Sequence, residues 1–141
     1  MPHPIAYLAF NGNCAEAVRF YESALGGKLE ILMNGADSPM AAQIPKDQAH
    51  RILHARLALP GGGYLYAGDA PTNMPYQGIH GVSLTMNYDS VAEAQRVFDQ
   101  LAAGGKVTRA MQPAFWAKSF GMLTDKFGTP WIVNGELLQH G

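Results

Sequence analysis

The chain has 141 residues, 48% of them hydrophobic and only 15% charged, a composition that excludes disorder as its main state and is enough for one compact domain of ordinary size. Ten Lys and Arg against eleven Asp and Glu give a net charge of −1, without the basic excess that binding to nucleic acid requires. No stretch reaches the roughly 18 consecutive apolar residues of a membrane span. The single Cys14 forms no internal disulfide, and the opening residues lack a signal-like pattern, so a cytoplasmic address is expected.

In chain order, the apolar segment 5–10 reads as a strand, and the next residues, NCAEAVRFY from Asn13 to Tyr21, read as a helix start. Asn13 suits an N-cap, and Glu16 three residues later completes the pattern of a capping box. Val18, Tyr21 and Leu25 then make an apolar stripe, and Gly26-Gly27 supplies the stop. A strand is expected over 28–33. The segment 34–51 contains Gly35, Pro39 and Pro45 and no clear period; it reads as a long loop and a candidate lid. Strands over 53–59 and 64–67 flank the turn Pro60-Gly61-Gly62-Gly63, and a linker occupies 68–78.

The pattern then repeats. SVAEAQRVF, Ser90 to Phe98, aligns without a gap on Asn13 to Tyr21 at an offset of 77, with Ala15, Glu16, Ala17 and Arg19 matched by Ala92, Glu93, Ala94 and Arg96. Ser90 and Glu93 repeat the cap grammar, and Val91, Ala94, Phe98 and Leu101 repeat the stripe. Gly104-Gly105-Lys106 answers Gly26-Gly27-Lys28. With strands expected over 82–86, 106–111, 121–124 and 131–134, each copy reads β-α-β-β-β, residues 4–69 forming unit 1 and residues 80–136 unit 2. A lone unit of this kind leaves one sheet face exposed, so an α+β homodimer is expected.

The motifs YLxFNGNCxEAxxFY, HAxL at His54 to Leu57, Gly68-Asp69, and FW…FG…TDxFGxPW between Phe115 and Trp131 together resemble the glyoxalase/bleomycin-resistance/dioxygenase superfamily, or vicinal oxygen chelate superfamily, and within it the PhnB-like branch. The resemblance spans nearly the whole chain. It implies a single domain, 1–141, whose two tandem βαβββ units build a cup-shaped mixed sheet around a small organic ligand. It also implies a divalent metal held by His, Glu, His and Glu, from the first and last strand of each unit. Counted onto this chain, those positions fall on Ala6, on Ser83 at the same offset of 77, on Ile132, and near Tyr66 or Gly68, so no inherited metal site and no cofactor are expected. Metal-dependent lyase, isomerase or dioxygenase activity, and sequestration of a drug-like compound, are the alternatives the resemblance offers. Methyl transfer, a label some members carry, finds no glycine-rich nucleotide loop here.

Among residues that could carry chemistry, His54 stands out. If Leu59 pairs with Tyr64 across the hairpin, His54 faces Asp69, and a carboxylate on one ring nitrogen raises the basicity of the other. The same pair would equally serve as a structural hydrogen bond, and a one-residue slip would put the two on opposite faces. Tyr66, Trp116, Phe120 and Trp131 are the expected ligand-binding residues, Trp116 at a pocket mouth, although core packing accounts for Phe120 and Trp131 as well. Arg109 and Lys118 are the cations that an anionic ligand would meet. His3, His50, His80 and His140 stand at no recognisable ligand spacing from a carboxylate or thiolate in the sequence, and Cys14 at a helix start is not read as a nucleophile.

Overall fold

The computed structural model describes residues 2–138, so His140 lies outside the described residues. The chain divides into two compact units, residues 1–77 and 78–141, and each has the expected βαβββ order. Unit 1 comprises β1 (Tyr7–Phe10), α1 (Cys14–Leu25), β2 (Lys28–Asn34), β3 (Ile52–Ala58) and β4 (Tyr64–Asp69). Unit 2 comprises β5 (Leu84–Tyr88), α2 (Val91–Ala102), β6 (Lys106–Ala114), β7 (Ala117–Thr124) and β8 (Pro130–Leu137). The sheets have the same topology, β1-β4-β3-β2 and β5-β8-β7-β6, with one parallel pair (β1 with β4, β5 with β8) and two antiparallel ones. Among the described residues, no helix is long and apolar enough to cross a membrane.

In each unit one sheet face packs on the helix and the other carries no element of that unit. Strand alternation assigns the faces, except that a register irregularity at Leu53 in β3 lets Ile52 be buried along with Ala55 and Leu57. Leu8, Phe10, Ile52, Ala55, Leu57, Leu65 and Ala67 are buried with Ala17, Val18, Tyr21 and Leu25 of α1. In unit 2, Leu123, Trp131 and Val133 are buried with Ala94, Val97, Phe98 and Leu101 of α2. Val97, not Val91, completes the α2 stripe; Val91 opens the helix and stays exposed. Each fully buried Leu, Val or Phe side chain contributes about 1.5–3 kcal/mol, so these two faces hold most of the stability.

The two helices start differently, although their sequences match. Ser90 Oγ accepts the Glu93 N–H at 3.1 Å, as its motif predicts. Asn13 makes no side-chain cap bond. Asp69, at the end of β4, takes over that role: its Oδ1 accepts the Gly12 N–H at 2.7 Å and the Cys14 N–H at 3.1 Å. A carboxylate at a helix N-terminus satisfies free N–H groups and complements the helix dipole.

The strands also depart from the repeat. The helices keep the offset of 77, with Cys14 matching Val91 and Leu25 matching Ala102, but Phe10 and Tyr88, the last residues of β1 and β5, are 78 apart because unit 1 has one more residue in the turn to its helix. Since faces alternate residue by residue, this single insertion exchanges the faces that a constant offset would assign. Pro113 lies inside β6, where a proline is tolerated because β6 is an edge strand of its sheet.

Candidate functional site

On the helix-free face of unit 1, β1 contributes Tyr7, β3 contributes His54 and Arg56, and β4 contributes Tyr64 and Tyr66. Tyr7 is opposite Tyr66 in the parallel pair, and Arg56 opposite Tyr66 in the antiparallel one. His54 lies between two tyrosines: its ring is stacked with Tyr7 at 6.3 Å and 21°, and meets Tyr66 edge-on at 5.3 Å and 76°. Tyr7, 53% exposed, is held by a hydrogen bond from its hydroxyl to Leu53 O at 3.1 Å. Its hydroxyl passes over Gly68, where any Cβ would collide with it, so that glycine keeps the ring in place. Arg56 Nε donates to Glu30 Oε1 at 3.0 Å, and its guanidinium lies 5.6 Å from the centre of the Tyr64 ring.

The pairing of His54 with Asp69 does not form. Leu59 N–H donates to Gly63 O at 2.7 Å and Ala58 faces Tyr64, one residue out of the anticipated register. The cause is the glycine turn: Gly61 and Gly62 both take positive φ, which accommodates a three-residue loop, Pro60 to Gly62, in place of the four-residue loop over Pro60 to Gly63. Asp69 therefore points to the helix side. Besides its two bonds at the α1 N-terminus, its Oδ2 accepts the Ile52 N–H at 2.8 Å, so the carboxylate ties together the β1–α1 turn, β3 and β4. His54 is left with two aromatic neighbours and no hydrogen bond from the described residues.

Unit 2 carries a different constellation on the equivalent face. The β6–β7 hairpin turns at Phe115 and Trp116, and the indole folds back over the sheet, 4.7 Å from Phe120 and nearly perpendicular to it. Trp116 Nε1 donates to Asn134 Oδ1 at 3.1 Å, and Asn134 Nδ2 donates to Asn87 Oδ1 at 2.9 Å. Arg109 places its guanidinium 5.3 Å from the centre of the Phe120 ring. Lys118 is occupied by Glu136 at 2.8 Å, and Glu136, with φ 59°, is the one non-glycine residue at positive φ among the described residues. Of the expected ligand-binding residues, Tyr66, Trp116 and Phe120 thus belong to helix-free faces. Trp131 does not: it is 1% exposed, on the helix side, and its Nε1 donates to Asp125 Oδ2 at 2.8 Å, because odd-numbered β8 residues face α2.

The metal positions change with the strand offset. Alternation puts Ala6 on the helix side with Leu8 and Phe10, whereas Ser83, just before β5, is in step with Thr85 and Asn87 on the other face. The helix-free positions nearest the last strands are Tyr7, opposite Tyr66, and Thr85, opposite Ile132. A phenol pair in one unit and a hydroxyl with an isoleucine in the other do not fit a divalent ion. Among the described residues, no three His, Cys, Asp or Glu side chains gather around a common point.

Cys14 is buried at the start of α1, and burial, then the nearby Asp69 charge, push its thiol up to about 12, which removes it as a nucleophile. The same causes raise Tyr7, with burial the largest and Cys14 and Asp69 adding to it. The segment 34–51 contains two single-turn 3-10 segments, Ala41–Gln43 and Lys46–Gln48, and is anchored by Thr72 Oγ1 to Gln48 Oε1 at 2.7 Å and Arg51 Nη2 to Ala70 O at 2.8 Å. Beneath it a pocket of about 220 Å³ is lined by Gln43, Ile44, Gln48, Arg51, Leu53 and Asp69, among others. His54 and Tyr66 do not line it.

Tyr7, Asn87 and Asn134 were not singled out in the sequence. Tyr7 and Asn87 had a signal, a polar or aromatic residue alternating with apolar ones in a first strand; Asn134 had none, since its role depends on Trp116 folding back from a hairpin.

Comparison with known proteins agrees with this architecture. Residues 3–133 match the family model described as Glyoxalase/Bleomycin resistance protein/Dioxygenase superfamily. Protein YjdN of Escherichia coli K12 is 34% identical over 136 residues, 91% of each chain. The crystal structure of protein PA1353 from Pseudomonas aeruginosa is similar at a TM-score of 0.87 and 46% identity, over 95% of this chain and 97% of that one. The PhnB protein from Bacillus cereus shares the fold at a TM-score of 0.77 and 22% identity, over 94% and 98%. With the family model covering all but a few residues at each end, the chain belongs to the glyoxalase/bleomycin resistance protein/dioxygenase superfamily.

Proposed function

We propose that this chain binds a small organic molecule on the helix-free faces of its sheets, without relying on the metal positions usual in the superfamily. The observation that supports this most is His54, set between Tyr7 and Tyr66 with both ring nitrogens free of partners among the described residues. A sheet face carrying aromatic rings, one oriented imidazole and few charges has the composition of small-molecule sites. Any proton transfer would run through His54 alone, because Asp69 is committed to three backbone N–H groups.

The test incubates the purified protein with a bacterial metabolite extract and follows protein and extract by mass spectrometry. The expected result is one retained or consumed compound in wild type, lost in His54→Ala with unchanged circular dichroism. Stoichiometric retention corresponds to sequestration, and conversion to catalysis. A His54→Ala protein that retains or converts the same compound as wild type would overturn the proposal.

A further inference from the structure

The amide chain on unit 2 has a fixed polarity. An indole N–H only donates, so the 3.1 Å bond from Trp116 requires the oxygen of Asn134 to face it. The other arm of the same amide is then Nδ2, which donates to Asn87 Oδ1 at 2.9 Å. Asn87 is left presenting Nδ2, a donor, at the exposed end of the chain. That group has no partner among the described residues. Asn134 is only 6% exposed, so the orientation is set from the sheet outward, and the solvent-facing amide is not free to turn without breaking the bond to Asn134.

The surroundings of this donor select what it meets. Asn87, Asn134 and Phe120 are in register across β5, β8 and β7, and the neighbouring row is Thr85, Ile132, Met122 and Arg109. Ile132 and Met122 make an apolar floor, with the Asn87 donor on one side strand and Arg109 on the other, three strand spacings or about 14 Å apart at the backbone. Arg109 contacts a ring and, among the described residues, no carboxylate, whereas Lys118 on the same face is neutralised by Glu136. An apolar floor between a neutral donor and an uncompensated cation suits a flat anion with a second oxygen.

Resting on the helix-free-face reading, we propose that unit 2 takes an aromatic or unsaturated carboxylate that also bears a carbonyl oxygen, the carbonyl accepting from Asn87 Nδ2 and the carboxylate lying toward Arg109. Trp116 is a positioning residue, which acts by dictating which end of the Asn87 amide faces the ligand.

The test uses two probes, 4-acetamidobenzoate and its isostere 4-isobutylbenzoate, which lacks the carbonyl. Calorimetric affinities and the Asn87 side-chain NH2 signals in nuclear magnetic resonance are the readouts. Wild type should prefer the acetamido probe by about tenfold, one good hydrogen bond, with a shift of the Asn87 NH2 signals. Asn87→Asp, with no donor, should lose that preference. Arg109→Gln should weaken both probes by a similar factor and keep the preference. Trp116→Phe keeps the ring but frees the Asn134 amide to turn, and should reduce the preference although Asn87 is untouched. A preference that survives Asn87→Asp or Trp116→Phe would overturn the proposal while leaving the helix-free-face reading in place. Probe-induced shifts confined to other surfaces would overturn both, and no binding of either probe would overturn the proposal for unit 2.

Discussion

Replacing Asp69 by Asn separates a structural carboxylate from a catalytic one. The side chain accepts three backbone N–H groups, from Gly12 at 2.7 Å, Cys14 at 3.1 Å and Ile52 at 2.8 Å. An asparagine can keep its oxygen toward Gly12 and Cys14, but its NH2 then faces the Ile52 N–H, donor against donor. The loss is one hydrogen bond to a charged group, about 1.5–3 kcal/mol, and the negative charge at the α1 N-terminus, about 0.3–1 kcal/mol. A destabilisation of about 2–4 kcal/mol is a large share of the 5–15 kcal/mol typical of a domain. With a urea m-value of about 2 kcal/mol/M, the middle of the usual range, the midpoint should fall by about 1–2 M. Far-UV circular dichroism is the suitable probe, because Trp116 and Trp131 both belong to unit 2 and would not report unit 1 directly. His54→Gln, which breaks no hydrogen bond among the described residues, should move the midpoint by less than about 0.5 M, in line with surface substitutions. An unchanged midpoint in Asp69→Asn would refute the tie that joins β4 to the β1–α1 turn and β3.

Four further outcomes follow from the same geometry. Cys14 is protonated far above neutrality, so iodoacetamide at pH 8 should alkylate the native protein at least about 100-fold more slowly than the urea-unfolded chain; equal rates would contradict its burial. Because its folded pKa is raised from 9.0 to about 12, the stability it contributes is complete below pH 9 and is lost as pH rises toward 12, and Cys14→Ala should flatten that alkaline loss in thermal melts. Glu136 holds φ 59° at the end of β8, so Glu136→Gly should be more stable than Glu136→Ala by about 1 kcal/mol, both having lost the Lys118 ion pair; the reverse order in urea titrations would contradict the left-handed backbone. A Cβ at Gly135 would lie 3.0 Å from both Ala94 Cβ and Val91 Cα, so Gly135→Ala should destabilise by about 1–3 kcal/mol through overpacking of β8 on α2, and a neutral result would show that the helix can retreat.

What was legible in the sequence was whatever depends on local pattern. The repeat, both helices with their starts at Cys14 and Val91, and eight strands in βαβββ order follow from periodicity, caps and glycine stops, and the structure reproduces them with strand ends shifted by up to a few residues. What was not legible depends on counting across a turn. The register of the Pro60–Gly63 hairpin slipped by one because the number of loop residues is set by glycine dihedrals, not by composition, and that slip moved Asp69 to the opposite face from His54. The extra residue between β1 and α1 did the same to Ala6. A period-two structure turns an error of one into an error of face, which is also why Trp131, inseparable by composition from Trp116, belongs to the core. The substitute N-cap at α1 and the Trp116–Asn134–Asn87 chain join residues distant in sequence, and no local signal announces either.

The central claim is that the helix-free faces are the binding surfaces, and a chemical-shift map tests it most directly. Titrating a small cocktail of aromatic acids and amides into 15N-labelled protein should produce the largest shifts at Tyr7, His54 and Tyr66 of unit 1 and at Asn87, Trp116 and Ile132 of unit 2. Shifts concentrated instead at Gln43, Gln48 and Arg51 would put the binding site in the pocket beneath the 34–51 segment and contradict the account.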